Sequence, residues 1–101
     1  MFICDCHCDT LTELYKHNKE LYSNDLHFDI QRQLALGGGL QFCAIFVPTP
    51  EFRYHGGLRY TLQLLDKYLQ EVRKIQAQGI DLLQVRTKAD VADVLNHQAA
   101  T

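Results

Sequence analysis

The sequence predicts an α/β fold of parallel strands joined by helical crossovers. Two observations carry that expectation. Short apolar runs alternate with segments of three-and-four spacing along the chain, in the order strand, helix, strand, helix, strand, helix. The run Leu40–Val47 (LQFCAIFV) is apolar nearly throughout, the pattern of a strand covered on both faces. The 101 residues suffice for one small domain, taken as 1–101. Three strand–helix units leave a parallel sheet with open edges, and such sheets are normally buried. Cover from further polypeptide, or from self-association through those edges, is therefore expected.

Each element has its own signal. Phe2–Asp9 reads as the first strand, and helix signals follow at once. Thr10 and Glu13 have the spacing of a capping box, and Leu11, Leu14, Tyr15, Leu21 and Tyr22 fall on one helical face. Ser23–Asp29 is polar and turn-like, and a short helix from about Ile30 to Leu36 is closed by Gly37, Gly38 and Gly39. That triplet precedes a strand instead of joining a strand to a helix, so it reads as a helix stop and tight turn, not a phosphate cradle. The strand Leu40–Val47 ends at Pro48 and Pro50. Leu58–Gln78 is the clearest helix, with Leu58, Leu62, Leu65, Leu69, Val72 and Ile75 in phase and Gly79 as its stop. Asp81–Arg86 is expected as a third strand, and Thr87 begins a last helix carrying Ala89, Val91, Val94 and Leu95. The pairs Phe42/Phe46 and Tyr60/Tyr68 read as packing, and Tyr54-His55-Gly56-Gly57, on the loop after the second strand, as a solvated loop, with the lining of a binding pocket as the alternative.

Composition narrows the classes of function. Apolar residues make up 47% and charged residues 22%, as in ordinary globular proteins. The net charge of −2 is spread along the chain, so no nucleic-acid partner is expected. The apolar runs are far shorter than the roughly 20 residues that span a bilayer, so no membrane partner is expected either. The opening Met-Phe-Ile-Cys-Asp lacks the basic and apolar regions of a secretory signal. Cys4, Cys6 and Cys8 crowd together and build no stapling framework, which points to a reducing, cytoplasmic location.

Chemistry-bearing residues concentrate in CDCHCD, Cys4 to Asp9. Strand alternation turns Cys4, Cys6 and Cys8 to one face and Asp5, His7 and Asp9 to the other. A thiolate site needs a second pair of cysteines and only Cys43 remains, so the three thiols read as a packed apolar face. His7 and Asp9, two residues apart, can lean onto one ion at the roughly 2.0–2.2 Å that zinc takes. His-x-Asp alone is a weak motif, and a structural histidine–acid pair is the competing reading. The position favours chemistry, because α/β folds and barrels put their sites at the C-terminal ends of strands.

At these residues the chain resembles a known family. The stretch Ile3-Cys4-Asp5-Cys6-His7-Cys8-Asp9-Thr10-Leu11 is similar to the first strand of the renal-dipeptidase-like (membrane dipeptidase) metallopeptidases, with its Asp-x-His-x-Asp pattern. His27-Phe28-Asp29-Ile30, then Gln31–Leu36, then Gly37-Gly38-Gly39-Leu40-Gln41-Phe42-Cys43-Ala44, resembles that family's Asp-x-x-Arg-x-x-x-Gly-Gly-x-x-x-Gln-Phe run. Val85–Asp90 resembles the segment that leads to the family's next strand. Arg32 stands for the family's arginine, and the glycine pair has become three.

The resemblance implies the first three βα units of a (β/α)8 TIM-barrel metallohydrolase, incomplete at 101 residues, since such barrels take about 250. It implies a dipeptide substrate and two zinc ions whose shared hydroxide attacks the peptide bond. His7 and Asp9 correspond to the first two zinc ligands, and Asp5 to an acceptor that orients His7. Glu13, Glu20, Glu51 and Glu71 do not match the family's bridging glutamate, nor do His17, His27, His55 and His97 match its later ligands. The chain stops at Ala99-Ala100-Thr101, before the strand that should bring that glutamate, so on this reading it is inactive alone. The alternatives are a small non-catalytic metal-binding α/β module and an assembly fragment that offers its strand edges to a partner.

Overall fold

The computed structural model describes residues 1–100, the side chains of 97–100 excepted, so His97 and Thr101 lie outside the description. It is a mixed α/β chain whose sheet has two parallel strands, β1 (Ile3–Cys8) and β2 (Gly39–Cys43). Between them lie α1 (Thr10–His17) and α2 (Ile30–Ala35). After β2 come a short turn of helix, α3 (Thr49–Phe52), the long α4 (Gly57–Ala77) and α5 (Lys88–Ala100). The radius of gyration is 14.7 Å, above the roughly 13 Å of a closed domain this size. The molecule is open on one side of its sheet.

Pairing runs in register from Ile3↔Gly39 through Asp5↔Gln41, then resumes at Cys8↔Cys43. Three steps along β1 thus match two along β2, so β1 carries one extra residue between Asp5 and Cys8. The glycines make the close approach possible. A Cβ on Gly39 would lie 2.3 Å from the Ile3 carbonyl oxygen, and one on Gly37, where φ is +110°, would lie 2.6 Å from the Met1 nitrogen. Met1 is held there by its ammonium, which donates to the Leu36 carbonyl at 2.8 Å. The glycine run is the helix stop and turn that the sequence predicts.

The core lies where α1 and α4 meet. Leu11, Leu14, Leu21, Ile30, Val72 and Ile75 form one buried cluster, with Cys43 and Ile45 of the sheet side packed against it. α1 is shorter than its apolar spacing suggests. Asn18 turns into the left-handed region (φ 49°, ψ 51°) and the Lys19 amide donates back to Leu14, so Leu21 and Tyr22 enter the core from a loop. Two buried carboxylates organise that loop. Glu71 on α4 accepts from the Leu21 amide at 2.7 Å and pairs with Lys74 at 2.9 Å. Asp29 caps α2, accepting from the Arg32 amide (2.7 Å), the Arg32 Nε (2.8 Å) and the Asn24 amide (3.1 Å).

Several expectations are corrected. The capping box falls at the other end of the chain. Thr10 is already inside α1 and Asp9, its N-cap, makes no side-chain cap bond, whereas Thr87 Oγ1 accepts from the Asp90 amide (3.1 Å) and Asp90 accepts from the Thr87 amide (3.0 Å). Asp81–Arg86 is not a strand. Its residues Asp81–Val85 line the same cleft of about 930 Å³ as Leu40–Cys43, without a ladder to β2, and Gln76 Nε2 donates to the Leu82 carbonyl. Among the described residues there are thus two strands where three were expected. β2 ends at Cys43, short of the expected Val47, and is not covered on both faces, since Phe42 is exposed; Phe46, beyond its end, is exposed as well. Along α4 the Leu58, Leu62 and Leu65 stripe faces outward, while Tyr60 and Leu64 are buried with Phe52 against the Tyr60 ring.

These contacts predict two stability results. Replacing Glu71 by Ala strands the Leu21 amide and should cost about 1–3 kcal/mol in urea unfolding, whereas Leu62→Ala should stay within about 0.5 kcal/mol of wild type. Burial pushes the Asp29 carboxyl up, but the bonds from the Arg32 and Asn24 amides and the Arg32 side chain outweigh it and hold the group below the usual range. A carboxyl depressed on folding stabilises the protein above its unfolded value and loses that contribution as pH falls through the folded one. The stability gap between wild type and Asp29→Asn should therefore be open at pH 7 and close below about pH 4.

Candidate metal centre

The CDCHCD stretch ends β1 and leads straight into α1, and the register shift decides where its side chains go. The extra residue breaks strict alternation. Cys8, opposite Cys43, comes into phase with Gln41 and Asp5, while Cys6 and His7 are left together opposite Phe42. The division into a thiol face and a histidine–acid face is therefore corrected. Cys4 and Cys6 are exposed, and only Cys8 is buried. The reading of all three thiols as a packed apolar face holds for Cys8 alone.

His7 and Asp9 meet at the end of the strand. His7 Nε2 lies 2.8 Å from Asp9 Oδ1, and both side chains are more than half exposed, at 66% and 60%. Asp9 is the N-cap of α1, and its carboxylate turns to the imidazole instead of to the helix amides. Asp5 does not reach the ring. Its Oδ1 accepts from the backbone N–H of His7 at 3.2 Å, so it steadies the strand turn beneath the imidazole.

Sequence reasoning leaves Cys43 as a spare thiol, yet its sulfur stands 3.9 Å from Cys8 Sγ across the ladder. The hydrogen bond with Cys43 favours the thiolate at Cys8 and, against burial, holds its pKa down at about 6. The bond to Cys8, with burial added, pushes the Cys43 thiol up. In the structure both cysteines close their strands, but the apolar run to Val47 places Cys43 inside its strand, so the pairing needs the register to be read.

His17 pairs with Glu13 at 3.2 Å along α1. Tyr54, beside His55, is almost fully exposed with the Arg53 guanidinium over its ring. Among the described residues no group of three or more histidines, cysteines or acids is placed to hold a metal ion. His7 and Asp9 supply one nitrogen and one oxygen donor of the kind zinc takes. That donor set fits half of a tetrahedral site. Among the described residues no helix is long and apolar enough to cross a membrane. Compared with known proteins, the chain matches no family model, no curated protein and no solved structure.

Proposed function

We propose that this chain carries the first two zinc ligands of a dipeptide-hydrolysing metalloenzyme of the membrane-dipeptidase kind, His7 through Nε2 and Asp9 through its carboxylate. The observation that carries the reading is their convergence to 2.8 Å at the C-terminal end of a parallel strand, the end where α/β proteins gather their chemistry. The register shift between Asp5 and Cys8, which takes in His7, supports it, since such bulges re-aim side chains beside active sites.

On this reading the two strands and their helices are the first units of a (β/α)8 barrel. Further polypeptide covers the open sheet face and the exposed Phe42, Leu58 and Leu62, and brings the remaining ligands. Zinc, when bound, lowers the pKa of water from about 15.7 to about 7 and polarises a peptide carbonyl. The chain's own part is positional. Asp5 fixes the His7 backbone, Asp9 supplies negative charge at the mouth of the strand, and the turn into α1 keeps both side chains open to the solvent side.

Zinc affinity measured by competition with a chromogenic chelator tests the ligand set. His7→Ala and Asp9→Ala should each weaken binding by about tenfold or more, while Cys6→Ala leaves it within about twofold. In the longer polypeptide that carries these residues, His7→Ala should lower zinc content and dipeptide hydrolysis together. Loss of binding in Cys6→Ala with His7→Ala unaffected would transfer the site to the thiols and refute the reading.

A further inference from the structure

We propose that Cys8 and Cys43 are a two-electron oxidation site, whose disulfide pins the end of β1 to the end of β2. The inference is independent of zinc ligation by His7 and Asp9. Both thiols are free, they are register partners on neighbouring strands, and their sulfurs are 3.9 Å apart. Adjacent strands run about 4.7–4.9 Å apart, within the roughly 4.4–6.8 Å separation of Cα atoms that disulfides bridge. Closure therefore asks for side-chain rotation and a small approach of the sulfurs, with no rearrangement of the ladder.

The other two cysteines lack that geometry. Cys4 is paired across the sheet with Leu40, and Cys6 lies in the irregular stretch opposite Phe42. Access also favours the pair. Cys43 lines the cleft of about 930 Å³, which is large enough to admit a small oxidant to a sulfur that is otherwise partly buried.

With hydrogen peroxide as the oxidant the chemistry balances in two steps. One thiol sulfur attacks a peroxide oxygen, the O–O bond breaks, and a sulfenic acid and one water form. The second thiol sulfur then attacks that sulfenic sulfur, the S–O bond breaks, and a second water leaves as the S–S bond forms. Two thiols lose two electrons and two protons, and one peroxide becomes two waters. The bond closes a loop between residues 35 apart in the chain and removes freedom chiefly from the unfolded state.

The test treats the 101-residue chain with a small excess of hydrogen peroxide, alkylates the remaining thiols, and maps the peptides by mass spectrometry. The Cys4→Ser/Cys6→Ser variant, altered only at exposed positions, is run alongside. The expected product is a chain lighter by two hydrogens with a Cys8–Cys43 cross-linked peptide. Its melting temperature should rise on the order of 10 °C, and dithiothreitol should reverse both changes. Alkylation of Cys8 and Cys43 after treatment, or a cross-link that joins either to Cys4 or Cys6, overturns the proposal. Should the double variant fail to fold, peptide mapping of the wild-type chain separates the same two outcomes.

Discussion

The parallel pairing of β1 with β2 is the constraint from which the rest of the arrangement follows. Parallel strands need a long crossover, and here it is the whole stretch from Asp9 to Gly38, containing α1, the Leu21–Asp29 loop and α2. The strands come together only because residue 39 has no side chain. Any Cβ there would collide with the Ile3 carbonyl, a backbone atom with no freedom to move aside. Once paired, the ladder slips by one residue beyond Asp5, and that slip sets which groups meet at its far end. Cys8 turns to Cys43, and His7 and Asp9 are delivered together to the strand's mouth.

The crossover is held by polar contacts as much as by apolar ones. Leu21 is buried and the loop around it has no regular structure, so its amide needs an acceptor that no helix or strand supplies. Glu71 provides it from α4, with Lys74 balancing the charge. Asp29 does the corresponding work for the start of α2 and draws Arg32 over the loop, where Arg32 also donates to the Leu26 carbonyl at 2.6 Å. Removing one member of such a network costs more than the bond itself is worth, because the partner stays buried and unpaired. The Asp29–Arg32 spacing that resembles a family run thus has a local structural role in this chain, independent of any catalytic role.

How much of this could be read from the sequence follows from which forces act locally. The helix of α4, its stop at Gly79, the short α2 and the glycine turn were legible, since propensity, capping and φ preference act within a few residues. The third strand was not. An apolar run becomes a strand only when a neighbour takes its backbone bonds, and Asp81–Val85 lines a cleft shared with β2 without pairing to it. The Leu58–Leu62–Leu65 stripe misled for a related reason. Its spacing marks an apolar helical face correctly, and Val72 and Ile75 further along do enter the core, but in the first half of α4 it is Tyr60 and Leu64 that are buried, with Tyr60 against Tyr15 of α1. At the candidate site the closeness of His7 and Asp9 was legible because a two-residue separation keeps them near one another whichever way the ladder slips. The Cys8–Cys43 contact was missed because strict alternation gives a different pairing once one residue is added, and register belongs to two strands at once.

The strength of the His7–Asp9 contact bears on what the pair can do. Both groups are well hydrated, so their mutual attraction is screened, and exposed pairs of this kind contribute about 0–1 kcal/mol. A bond that weak holds the two donors near one another without resisting a cation that competes for both. Had its carboxylate been buried, separating the pair would strand a charge at a cost of several kcal/mol, and the contact would be a structural clasp like that of the buried Asp29 carboxylate with the half-exposed Arg32. The two histidine readings raised by the sequence, clasp and ligand, therefore differ in burial more than in distance. His7 and Asp9 fall on the exposed side of that division, while Asp29 and Glu71, the acids that hold the fold together, fall on the other.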